Sequence, residues 1–147
     1  MKLLFSISCL LIAPFWLAGQ DVFDFTGTWE GILTQEEGGY TPEYAFKLVL
    51  EQDGMDIKGR SFVKYGEIYA EMELEGRLIG NRAIHWEEIK LLDNWKHEHM
   101  EWCYKRADLF VVKRGAKPKL EGPWSGNTGE ADCVPGKIKV SRVSPRA

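Results

Sequence analysis

What the sequence lacks narrows the reading before any motif is considered. After residue 20 it shows no 3.6-residue apolar periodicity, so an α-helical or α/β domain is not expected. Lysines and arginines form no cluster and the formal net charge is −3, which argues against nucleic acid and against electrostatic docking on anionic lipid. No apolar run reaches the ~20 residues that span a bilayer. The longest, Leu3 to Leu17, is broken only by Ser6, Ser8 and Pro14. No Ser-His-Asp or Cys-His arrangement stands out, and the glycines lack phosphate-loop spacing, so neither a cofactor nor a catalytic residue is assigned.

The same short run has a positive reading. Lys2 precedes it and the small residues Ala18-Gly19 follow, which is the pattern of a cleavable export signal over residues 1–19. A single domain over 20–147 remains, with no membrane span once the signal is removed, and loss of Lys2 takes the charge to −4. Of three cysteines, Cys9 leaves with the signal. Cys103 and Cys133 remain in an exported chain, and an oxidising compartment favours a disulfide between them. Closing a loop of about thirty residues stabilises a fold by roughly 3–4 kcal/mol in the chain-entropy model.

What is present is alternation with a period of two, in segments of about ten residues separated by turn residues. Thr26–Gln35 places Trp29 and Leu33 on one face, and Glu43–Gln52 places Tyr44, Phe46, Leu48 and Leu50 together. Asp53-Gly54 is the strongest hairpin signal, leading into Met55–Lys64. Ile68, Ala70, Met72, Leu74 and Leu78 then oppose Glu67, Glu71, Glu73, Glu75 and Arg77, a dry face against a wet one. Gly80-Asn81 turns the chain into Arg82–Leu91, and Asp93-Asn94 is read as another turn, into Glu98–Lys105. Leu109–Lys113, Lys119–Trp124 and Lys137–Val143 complete eight or nine strands.

Strands in this number, with one apolar face and no helix to cover it, form a sandwich or curl into a barrel. Short turns favour up-and-down order. Glycines inside strands (Gly31, Gly59, Gly76, Gly122) suit strands that bend round a barrel. An all-β, antiparallel up-and-down meander closed into a small barrel is therefore the expected fold. The pattern apolar-x-Gly-x-apolar-x-Gly recurs at Phe25–Gly31, Leu120–Gly126 and Leu74–Gly80, and reads as a packing device in which glycine leaves room for a neighbouring tryptophan.

Gly27-Thr28-Trp29 resembles the Gly-x-Trp of the first strand in calycins, the lipocalin and avidin-like barrels. That resemblance implies a calycin-like barrel with Trp29 closing one end against an arginine of the last strand, here Arg142. The lipocalin helix before the last strand and the Thr-Asp-Tyr-like turn are missing, so the resemblance implies a shape and no particular ligand.

Three groups of residues are candidates for chemistry. Tyr44, Phe46, Trp86, Glu88, Trp102 and Tyr104 fall on predicted inner faces and would line a cavity. Glu88 there needs a partner, for which Arg142 is the expectation. His97 and His99 share a strand face if Glu98–Lys105 is a strand, and with Glu101 they would suit a divalent metal; the alternative is a solvated face beside a turn. Trp95, placed in a turn, would be exposed and could contact a glycan or protein. The first functional expectation is an exported, non-enzymatic barrel that binds a small apolar or amphipathic ligand. The alternative is a solidly packed barrel whose loops contact a cell-envelope partner, through Trp95 or the Pro118–Cys133 segment. A hydrolase or metal protein built on Glu88 or His97/His99 ranks third.

Overall fold

The structure, a computed structural model, describes residues 21–143; the expected export signal lies outside them. Eight antiparallel strands follow one another: β1 (Gly27–Thr34), β2 (Glu43–Asp53), β3 (Asp56–Tyr65), β4 (Ile68–Ile79), β5 (Ala83–Trp95), β6 (Tyr104–Lys113), β7 (Lys119–Asn127) and β8 (Gly136–Arg142). Each pairs with its neighbour in sequence, and β1 pairs with β8, so the meander is a closed barrel. Among the described residues there is no helix, and hence none long and apolar enough to cross a membrane.

The expected alternation sets the inner face. In β4, Ile68, Ala70, Met72, Leu74 and Leu78 are buried, and the glutamates between them point outward. The centre of the barrel is filled: Phe46, Leu48, Met72 and Trp86 are all buried, and the Phe46 and Trp86 rings stack at 6.4 Å. Gly54 and Gly80 take φ of 62°, the left-handed conformation their tight turns require.

The four strand glycines serve the bending expected of them and do not make room for a tryptophan. A Cβ on Gly31, Gly59 or Gly76 would sit 2.0 Å from a backbone oxygen of the next strand, and on Gly122 only 1.7 Å from Asp108 O. The space that glycine leaves is taken by neighbouring backbone, not by a tryptophan ring. Such close approach is what tight coiling of a small barrel demands.

One region departs from the predicted strand plan. Asp93-Asn94 is not a turn; β5 runs on to Trp95, and the predicted strands 98–105 and 109–113 are replaced by one strand, β6. Against β4, the β5 register slips twice, skipping Ile89 and Leu92. Both residues are exposed, at 46% and 42%. On its other side β5 outruns its partner, because the β5–β6 ladder stops at Glu87↔Arg106.

Candidate functional site

The meander gives the barrel two unlike ends. At one, residues 21–26 cross the opening. Phe25 is wholly buried, its N–H bonded to Gln52 Oε1 at 2.9 Å, and Phe23 N–H bonds to Asn81 O at 3.0 Å. Trp29, also wholly buried, donates its Nε1–H to Phe25 O at 3.0 Å. The Arg142 guanidinium lies 4.6 Å from the Trp29 ring and 5.2 Å from Phe23, and its Nη2 donates to Asp24 O. Trp29 and Arg142 are also paired across the β1–β8 seam, so the closure expected from the resemblance is the one the structure has.

At the other end, long connections replace the plug. The Cys103–Cys133 disulfide joins the β5–β6 connection to the β7–β8 connection, as expected. Trp124 seats its indole by donating to Thr34 O at 2.8 Å, and Gln35 Nε2 donates to Val134 O at 3.1 Å. Between these loops lies a cavity of about 110 Å³, with Leu33, Tyr44, Val63, Trp102, Lys105 and Trp124 among its walls. The Tyr44 hydroxyl donates to Gln35 Oε1 at 3.3 Å; burial, then the neighbouring Tyr40, pushes its pKa above the ordinary value. Tyr40 and Tyr65 stand at this rim, 52% and 48% exposed, edge-on to one another at 6.2 Å.

A polar group closes the wall where the β5–β6 ladder ends. The Glu88 carboxylate is fully buried and accepts from Ser61 Oγ at 2.5 Å, from the Lys105 backbone N–H at 2.8 Å, and from Lys105 Nζ at 3.0 Å. It replaces the missing ladder bond with a side chain. Lys105 Nζ also donates to Cys103 O at 3.3 Å, and Trp102 Nε1 donates to Asn94 Oδ1 at 2.9 Å. Side chains and a disulfide thus stitch this stretch of wall.

The predicted cavity residues divide accordingly. Tyr44 and Trp102 line the cavity; Phe46 and Trp86 do not, being stacked in the packed centre below it. Glu88 is inward, as alternation required, but its partner is Lys105, because Arg142 is held at the opposite end by Trp29. Tyr104 is corrected: it is 40% exposed, and Lys105 takes the inward place with Ala107 and Leu109. Reading residues 104–113 as one strand in phase with Leu109 would have found Lys105.

The histidine cluster also changes. His97 and His99 follow β5 in a loop, their rings near-parallel at 5.8 Å, with Trp95 edge-on to His97 at 5.0 Å. Glu101 lines the cavity instead. No three His, Cys, Asp or Glu side chains among the described residues come together as a metal-binding group, so the three-ligand set fails with the strand that was to align it. Trp95 is exposed, but in β5 opposite Tyr69 and not in a turn.

A cluster on the outer wall went unread as a unit. His85 Nδ1 lies 2.6 Å from Asp108 Oδ1 and Nε2 lies 3.3 Å from Glu87 Oε1. The bond to Asp108 raises the His85 pKa, Glu87 adds to it, and partial burial opposes both. With a carboxylate beside each nitrogen, the protonated ring can donate to both, so the two contacts favour the charged form.

No protein-family model and no curated protein matches the chain.

Proposed function

We propose that this protein is an exported, non-enzymatic barrel of calycin-like type that holds a small amphipathic ligand at the mouth of its disulfide-bridged end. The observation that carries this reading is the difference between the ends. One is sealed by Phe25, Trp29 and Arg142, and the other keeps a cavity walled by Tyr44, Trp102 and Trp124 with a single buried cation, Lys105, at its edge. Binding sites of this kind combine apolar walls with a few fixed polar groups.

The packed centre sets a limit. Phe46, Leu48 and Trp86 occupy the space in which a deep calyx would hold a long ligand, so the occupant is small. An apolar cavity of ~150 Å³ accepts benzene, and a site of about 110 Å³ open at the mouth is suited to a single ring.

Native mass spectrometry of protein purified from its own host tests the proposal, paired with fluorescence titration using small aromatic probes. The expected result is a retained small molecule or saturable quenching that is lost in Trp102→Ala. Absence of both in folded protein would leave the alternative, a packed barrel acting through its loops.

A further inference from the structure

The geometry points to the charge of the ligand: the mouth site selects an uncharged molecule bearing a hydrogen-bond acceptor, and excludes anions and cations of the same shape. This inference rests on the proposed binding role and specifies its ligand class.

Among the described residues Lys105 is the only cation on the cavity wall, and its side chain is 5% exposed. Taken alone, a buried ammonium beside aromatic rings would mark a carboxylate site. Glu88 changes that conclusion. Its carboxylate, wholly buried, sits 3.0 Å from Lys105 Nζ and is itself satisfied by Ser61 and by the Lys105 backbone N–H. The pair is therefore neutral as a unit before any ligand arrives. A second anion would bring an uncompensated charge into a site walled by Leu33, Val63, Trp102 and Trp124, and a buried charge without a partner is strongly disfavoured.

A donor is nonetheless left over. An ammonium carries three N–H groups. Two are taken up by Glu88 Oε2 and Cys103 O, and no protein partner for the third is found among the described residues. A carbonyl, ether or hydroxyl oxygen can accept that hydrogen without adding charge. Glu101 and the Tyr44 hydroxyl also border the cavity. Glu101 is exposed and remains hydrated, while Tyr44 already donates to Gln35. Neither supplies a buried counter-charge: Tyr44 carries none, and Glu101 would meet a cation only in water, where such a pair contributes little, while the Lys105 ammonium repels it.

Four probes of near-equal shape test this: acetophenone (neutral, with an acceptor), benzoate (anion), benzamidine (cation) and toluene (neutral, without an acceptor). Binding is read from the Trp102 and Trp124 indole N–H shifts on titration at neutral pH. Wild-type protein is expected to bind acetophenone at least tenfold tighter than benzoate or benzamidine, and several-fold tighter than toluene. Glu88→Gln removes the compensating charge, so the preference should invert and benzoate should bind at least tenfold tighter than acetophenone. Should that variant fail to fold, Glu88→Met with Lys105→Met removes the pair together, and acetophenone should then bind no better than toluene. Wild-type binding of benzoate or benzamidine equal to that of acetophenone overturns the inference but leaves the ligand-binding reading standing. Failure of all four probes to shift either indole overturns both.

Discussion

The two ends of this barrel use the same device and reach different outcomes. At each, an inward tryptophan donates its indole N–H to a backbone carbonyl: Trp29 to Phe25 and Trp124 to Thr34. Around Trp29 the chain supplies a plug, and Phe25 and Trp29 are wholly buried. Around Trp124 it supplies long connections held by a disulfide, and a cavity remains. A barrel end can thus be closed by side-chain packing or restrained by a crosslink, and only the second way leaves room for a ligand. Breaking each closure in turn is the direct test of that distinction.

The largest effect is expected at the plug. Trp29→Ala removes a wholly buried indole, a loss of about 3–5 kcal/mol for large-to-small core changes. Trp102→Ala, at the half-buried opposite rim, should cost no more than about 1–2 kcal/mol and chiefly affect binding. Urea denaturation of both variants checks this, and equal losses would mean that the ends are not built differently.

Next comes the crosslink. Cys103→Ser with Cys133→Ser should destabilise the fold by about 3–4 kcal/mol, from the loop that the bond closes. Hydrogen exchange gives the sharper reading: amides of 96–103 and 128–135 should lose protection while those of β1 near Trp29 keep theirs. Equal loss at both ends would show a single cooperative unit and remove the basis for a separately loosened mouth.

Arg142→Met should cost less, about 1–2 kcal/mol, because it forfeits the cation–π contact and the bond to Asp24 O while keeping a hydrophobic stem on Trp29. Thermal unfolding measures it. Ligand affinity at the far end should be unchanged, and a change there would couple the two ends.

The plug end was legible in the sequence because its signals are local and regular. Gly27-x-Trp29 carries the resemblance to calycins, the phase of Ile138 and Val140 turns Arg142 inward, and the resemblance then implies the pair without any knowledge of register. The mouth was legible only in part: Tyr44, Trp102 and the Cys103–Cys133 bond were expected there, but Lys105 was not, for a physical reason. Two bulges, at Ile89 and Leu92, break the alternation of β5, and a turn-like Asp93-Asn94 sits inside that strand. With β5 cut short, the next segment was read in the phase of Met100, Trp102 and Tyr104, which turned Lys105 outward. Glu88 was found because it lies before the first bulge, still in step with Ile84 and Trp86. Its partner lay beyond the break, where a charged residue on an inner face gives no hydrophobic signal to follow.

The smallest effect concerns the seam just before the stitched wall begins. His85 and Asp108 face one another across the β5–β6 ladder, one rung pair before its end at Glu87↔Arg106. The bond to Asp108 raises the His85 pKa above its ordinary 6.5. A raised folded value means that the contribution is fully present below the unfolded pKa of about 6.5 and is lost as pH rises through the folded value. The side chains are 37% and 48% exposed, so solvent screening holds the effect to a fraction of a kcal/mol. Stability from urea midpoints should therefore fall slightly as the pH rises above about 6.5, and Asp108→Asn should flatten most of that slope. If protection of the Arg106 and Asp108 amides falls over the same range beyond the intrinsic exchange rate, the ion pair helps hold the last rungs of the ladder. A wild-type slope that survives in Asp108→Asn would instead place the titrating group elsewhere, and the stitching of the mouth would then begin at Glu88 without help from the outer face.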